Sequence, residues 1–210
     1  GESMSQTIRV GFIGSGGIAG AHMHHLKKVE GVEIIALADA SLKPCEQRAK
    51  EHELRDVKMF TDYRKLLKMK EVDAVSVCTP NWLHCEPTVA ALKAGKHVMV
   101  EKPIAMNAKE GKAMCDAAKK AGKVFSIGFQ QRYRGDVQFV RRLVQEGQLG
   151  EILYCRAHSL RRRGIPNWGV FGQKKLQGGG PMIDIGVHIL DMSLFVMGMP
   201  RPVAASGGCY

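Results

Sequence analysis

The sequence predicts an α/β chain: a doubly wound parallel sheet, followed by the start of an α+β open sheet. Three observations carry this. Short apolar runs alternate with helical stretches as far as residue 128. A glycine-rich turn joins the first run to the first helix. Beyond 128 the alternation stops and a different pattern begins.

Residues 7–13 (TIRVGFI) form a nearly continuous apolar run, the mark of a strand covered on both faces. A helix is expected over 18–29, then a strand over 32–38 that ends at Asp39. A helix over 44–52, a short strand over 58–60 and a short helix over 63–69 come next. Strands over 74–78, 97–100 and 124–127 enclose helices over 86–94 and 108–121, stopped by Gly95 and Gly122. After 128 the pattern gives a helix over 136–146, an alternating strand over 151–159 and a basic, glycine-rich loop over 161–180. A long helix over 181–197 and a strand start at 202–206 complete it. The expected domains are therefore 4–128 and 129–210.

Bulk composition narrows the function classes. With 45% hydrophobic and 24% charged residues, the 210-residue chain reads as a folded protein rather than a disordered one. The net charge of +11 suits an anionic ligand or a basic surface. No basic helix or aromatic–basic motif accompanies it, so nucleic acid is not expected as a partner. The six cysteines are scattered without metal-type pairs and read as reduced thiols of a cytoplasmic protein. No signal-peptide pattern is present, and Asp184, His188 and Asp191 interrupt the longest apolar stretch, so no membrane span is expected.

Gly14-Ser15-Gly16-Gly17-Ile18-Ala19 fits G-x-G-x-x-G/A between the first strand and the first helix. Gly14 permits the tight turn, Gly16 lets the backbone approach a pyrophosphate, and Ala19 lets helix and strand pack closely. Free N–H groups and the dipole at the helix start hold phosphates. Asp39, 25 residues after Gly14, can accept from both ribose hydroxyls and would repel a 2′-phosphate. The expected cofactor is NAD, with NADP left open because Lys43 is nearby. A glycine turn alone occurs in many α/β proteins; strand, helix and acid in register make it a Rossmann signal.

In open parallel sheets, ligands bind beyond the carboxyl ends of the strands. Two such ends carry unusual residues: Thr79-Pro80-Asn81 with His84, and Glu101-Lys102-Pro103. Taken singly, each proline merely ends a strand. Farther on, Pro181 opens a helix on which Asp184, His188 and Asp191 fall at i, i+4 and i+7, on one face. Such groups are costly in an apolar helix unless paired. A satisfied core histidine, a catalytic face and a metal site all fit the pattern. The last lacks a third ligand, and no metal is expected.

The segments GFIGSGGIAGAHMHHL, VCTPNWLH, ALKAGKHVMVEKPIA and GGGPMIDIGVHILD together resemble the Gfo/Idh/MocA oxidoreductase family, from about residue 6 to the end. The resemblance implies a dinucleotide-binding domain followed by an α+β domain. That second domain often serves in oligomer contacts, so a homo-oligomer is expected at full length. Family members are longer, so residues 129–210 would be the start of a truncated sheet. The resemblance maps the family's catalytic residues onto Lys102, Asp184 and His188. It places Thr79, Pro80, Asn81, His84 and Glu101 along the cofactor and Gln130 near the nicotinamide. Substrate contacts fall to Lys102, Asp184 and His188, with Arg132 and Trp168 bordering the site beside Arg161, Arg162 and Arg163. The arginine run also fits a plain solvated loop.

The implied reaction is hydride transfer between nicotinamide and a secondary alcohol of a sugar or cyclitol. His188 would act as base, Asp184 would orient it or bind a neighbouring hydroxyl, and Lys102 would stabilise the reacting oxygen, with the roles of Lys102 and His188 open to exchange. Two alternatives stay open: an NAD-using glycosidase acting through a transient ketone, and a non-catalytic cofactor-binding regulator.

Overall fold

The computed structural model describes residues 7–208 except Arg161, Ile165 and Trp168. The expectations placed on Arg161 and Trp168 lie outside the described residues. The chain divides into two compact units: the first runs to Gly128 and adds Pro166–Gly179, and the second comprises Phe129–Ile165 and Gly180–Tyr210. The sequence places one boundary after 128; the segment Pro166–Gly179 packs with the first unit instead.

The first unit is a six-stranded parallel sheet in the order β3-β2-β1-β4-β5-β6. The strands are β1 (Ile8–Ile13), β2 (Val32–Ala38), β3 (Lys58–Phe60), β4 (Ala74–Val77), β5 (His97–Val100) and β6 (Phe125–Ile127). The helices are α1 (Gly17–Leu26), α2 (Leu42–Glu51), α3 (Tyr63–Leu67), α4 (Cys85–Lys93) and α5 (Ala108–Ala121). The order reverses between β1 and β4, which opens a crevice at their carboxyl ends.

Both sheet faces are buried, as the apolar strands require. Phe12 and Leu37 pack with Ala19, Met23 and Cys45 on one side. Their sequence neighbours Ile13, Ala36 and Ala38 pack with Leu66, Leu92, Val100 and Met114 on the other. Each large side chain buried in this way stabilises the fold by about 1.5–3 kcal/mol. The longest helix of this unit, α5, is capped at both ends: the Asn107 side chain accepts the Glu110 N–H, and Gly122 closes it at φ 61°.

The second unit holds α6 (Gly135–Gln145) and the helix from Met182 to Val196, which opens with a π-helical turn at Met182–Gly186 and continues as α-helix over Val187–Val196. A four-residue helix, α7 (Lys174–Gln177), lies in the segment that packs with the first unit; the α-helical part of Val187–Val196 is α8. The strands expected at 151–159 and 202–206 do not form, and residues 151–160 are almost all exposed. Alternation marks a half-buried strand, but a strand also needs a partner. Among the described residues of this unit no other strand exists to pair with. By length and composition alone, Lys174–Val196 would suffice to cross a membrane, a test that core helices also pass.

Candidate functional site

The glycine turn sits where β1 ends and α1 begins. Gly14 has φ 88°, and a Cβ there would lie 2.7 Å from the Cys78 backbone, so only glycine fits. Gly16 and Gly17 face open space, with nothing within 4 Å of a built Cβ. No side chain caps α1 and no acid occupies its first turn, so its dipole is available to an anion. Ile18 is 45% exposed beside this opening, an apolar surface for a ligand to cover.

Asp39 follows β2 and faces the same turn. Its Oδ2 accepts the Ser15 N–H at 2.7 Å, and its Oδ1 accepts the Ala40 N–H at 2.7 Å. Each oxygen keeps a lone pair that can accept from a ribose hydroxyl. An open glycine cradle, an uncapped helix start and a fixed carboxylate fit a dinucleotide: Gly14–Ala19 would hold its pyrophosphate and Asp39 its adenosine ribose.

The turns after β4 and β5 are tied together by His84, which is fully buried. Its Nδ1 lies 2.7 Å from the Pro103 carbonyl oxygen and its Nε2 2.9 Å from that of Thr79. Burial lowers the imidazole pKa; the two carbonyls oppose this but do not overcome it. His84 therefore reaches the site through the backbone of both turns. Thr79 donates its hydroxyl to the Leu83 carbonyl, and Asn81 Nδ2 donates to the Gln177 carbonyl at 2.9 Å. Pro80 is exposed at the start of the 3-10 turn Asn81–Leu83.

The Lys102-Pro103 bond is cis. Glu101 is held from two sides: its Oε2 accepts the Lys102 N–H at 3.1 Å, and its Oε1 lies 2.8 Å from His22 Nε2. His22, on α1, also reaches Ser76 Oγ at 3.0 Å through Nδ1, with Cys78 Sγ at 3.5 Å. Burial alone would lower the His22 pKa. Hydrogen bonds to Cys78 and Glu101, and their negative potential, outweigh it and raise the pKa to about 10. Gly128 completes the arrangement, because a Cβ there would lie 2.8 Å from Glu101 Oε1. The sequence reading missed both residues. A signal for His22 was present: it stands between the buried Ala19 and Met23 on α1.

In the second unit, His188 and Asp191 are buried, at 7% and 8% exposure. The Phe129 ring meets the His188 imidazole edge to face at 6.2 Å. Arg132, assigned to substrate by the sequence reading, gives two N–H groups to Asp191: Nε at 2.8 Å and Nη2 at 2.5 Å. Its guanidinium also lies over the rings of Phe129 and Phe195. Asp184 falls within the π-helical turn rather than in regular α-helix. Gln130 is exposed at the start of the 3-10 turn Gln130–Tyr133. Among the described residues, no cluster of three or more His, Cys, Asp or Glu could hold a metal ion.

Family models match both parts of the chain: an oxidoreductase family with an NAD-binding Rossmann fold over residues 8–129, and the GFO/IDH/MocA C-terminal domain over 137–210. The chain belongs to the GFO/IDH/MocA oxidoreductase family. It is 42% identical over 197 residues to the D-glucoside 3-dehydrogenase of Escherichia coli strain K12, covering 93% of this chain and 56% of that relative. Among solved structures, an oxidoreductase domain protein from Kribbella flavida superposes with TM-score 0.85 at 30% identity, covering 92% of this chain and 53% of that one. A levoglucosan dehydrogenase in complex with NADH does so with TM-score 0.78 at 29% identity, covering 92% and 54%. The chain thus spans about half the length of the relatives it matches. The Rossmann sheet and the NAD-type glycine turn expected from the sequence agree with these findings.

Proposed function

We propose that this protein is an NAD-dependent dehydrogenase that oxidises a secondary alcohol of a sugar, cyclitol or sugar derivative. The observation that carries the reading is the open cradle over Gly16 and Gly17, with the Asp39 carboxylate fixed beside it at the switch point of the sheet. The relative 42% identical to this chain is named for action on D-glucosides at position 3, so glucosides are the first substrates to test.

NAD, held by Gly14–Ala19 and Asp39, would supply the acceptor for the hydride of the carbinol carbon. The rest of the chemistry is the chain's. The hydroxyl proton must leave as the hydride does, and His188 is proposed to take it. Asp184, one turn earlier, is proposed to orient the substrate or the imidazole. The Lys102 ammonium is proposed to donate to the reacting oxygen and stabilise the negative charge that develops there. Asp39 and the start of α1 would hold the distal half of the cofactor in place.

The experiment is an absorbance screen at 340 nm with NAD or NADP against a panel of glucosides, inositols and sugar phosphates. Stoichiometric NADH production with one class supports the reading. Glycoside cleavage without net NADH would favour the glycosidase alternative. Cofactor binding with no turnover on any panel member would favour a regulator. Lys102→Ala and His188→Ala are each expected to lower kcat at least 100-fold, and unchanged turnover in either would remove that residue from the mechanism.

A further inference from the structure

We propose that His22 is a positioning residue of the nucleotide site: by holding Glu101, it sets the turn that presents Lys102 to the nicotinamide half of the cofactor. The inference rests on the dinucleotide reading above and adds to it a residue outside both the glycine motif and the strand ends.

His22 lies in the second turn of α1, the helix whose start is proposed to face the phosphates. Glu101 lies just beyond β5, two strands from β1 in the sheet order. The bond from His22 Nε2 to Glu101 Oε1, at 2.8 Å, therefore joins the helix under the phosphates to the turn that carries Lys102. The partner atoms are well buried, with side chains 15% and 12% exposed.

The carboxylate is fixed on its second oxygen as well. Oε2 accepts the Lys102 backbone N–H at 3.1 Å, so Glu101 links the imidazole directly to the residue proposed to act on substrate. Ser76 and Cys78 fix the other edge of the imidazole, so the ring cannot turn without losing one of its contacts. Gly128 leaves the space that Glu101 occupies. A charged pair with both members anchored, at the carboxyl ends of the strands, is more than a stabilising contact would require. Buried ion pairs seldom outperform apolar packing on stability alone.

The two halves of the cofactor separate this role from a general effect on folding. Asp39 and the glycine cradle, proposed to hold the adenylate half, make no contact with Glu101 among their hydrogen bonds. The turn at Glu101–Pro103 is proposed to meet only the nicotinamide half. Losing His22 should therefore affect NADH and spare ADP.

The test uses the full chain, with NADH and ADP binding followed by titration calorimetry for the wild type, His22→Ala and His22→Gln. His22→Ala is expected to weaken NADH about ten-fold, in line with loss of one charge-assisted hydrogen bond, while ADP affinity stays within two-fold. His22→Gln can still donate an N–H to Glu101 and should restore NADH affinity to within about three-fold. Equal loss of NADH and ADP affinity, or no loss of either, would overturn the proposal, as would failure of the glutamine variant to rescue. If His22→Ala does not fold, the split between NADH and ADP is read on Glu101→Gln, which keeps the side-chain volume. Glu101→Gln is expected to weaken NADH and spare ADP, and parity between the two ligands overturns the proposal. Absence of NADH binding by the wild type would remove the dinucleotide reading itself.

Discussion

The Asp39 carboxylate accepts the Ser15 N–H at 2.7 Å, so the acid that ends β2 also holds the glycine turn after β1. One side chain thus shapes the cradle and is proposed to recognise what lies in it. A variant that keeps the shape but removes the charge separates the two roles. Asp39→Asn retains one oxygen for Ser15 and is expected to fold normally. It should bind NAD about ten-fold more weakly and lose much of its discrimination against NADP, because the carboxylate no longer repels a 2′-phosphate. Parallel titrations with NADH and NADPH check this; unchanged discrimination would mean that Asp39 does not set it.

Gly14 and Gly16 belong to one motif but should fail differently. At Gly14 the left-handed φ and the nearby Cys78 backbone both oppose a side chain, and backbone cannot move aside as a side chain can. Gly14→Ala is expected to lower stability by about 2–4 kcal/mol in chemical denaturation. At Gly16 nothing lies within 4 Å, so Gly16→Ala should keep near-wild-type stability. Its methyl group would occupy the space a pyrophosphate needs, and NADH binding should fall more than ten-fold. Matched losses of stability in the two variants would contradict the different surroundings of these glycines.

The His22–Glu101 pair also carries a pH signature. A histidine whose folded pKa lies above its unfolded value binds more protons in the folded state between the two. Stability from this source is complete below about pH 6.5 and declines as pH rises toward about 10. Denaturation of the wild type and of His22→Gln at pH 6.5 and pH 9.5 tests this by difference, since other groups titrate in both proteins. The variant should show the smaller loss of stability on going to pH 9.5. An equal loss in both would mean that His22 does not hold its proton across this range.

Most of the first unit was legible because its rules are local. Parallel strands buried on both faces must be apolar throughout, and every strand of the sheet was expected close to where it lies. The glycine turn was legible because few residues tolerate φ 88° against a neighbouring backbone. What stayed hidden depends on tertiary pairing. The alternating 151–159 segment carries the same signal with or without a partner strand. Gly128 has no distinctive local context; its reason is the Glu101 carboxylate, which only the folded sheet brings there. His84 was expected along the cofactor from its place in the VCTPNWLH segment, yet both ring nitrogens face main-chain carbonyls. Nothing in a sequence distinguishes an imidazole aimed at a ligand from one aimed at its own backbone.

Arg132 and Asp191 are 59 residues apart; from sequence Arg132 was expected beside the substrate, while Asp191 carried no role beyond sharing a helix face with Asp184 and His188. In the structure the guanidinium gives two N–H groups to a carboxylate that is 8% exposed. Removing one partner leaves a buried charge without its counter-ion, so Arg132→Met is expected to cost about 3–5 kcal/mol. Replacing both, as Arg132→Met with Asp191→Leu, should cost clearly less than the sum of the single changes, because no charge is then stranded. Unfolding measured across this double-mutant cycle reads the coupling directly. A sugar titration on the double variant then separates the two roles given to Arg132. Sugar affinity close to that of the wild type, alongside strong coupling, would make Arg132 a support for α8. A large loss of sugar affinity in a well-folded double variant would return it to the substrate.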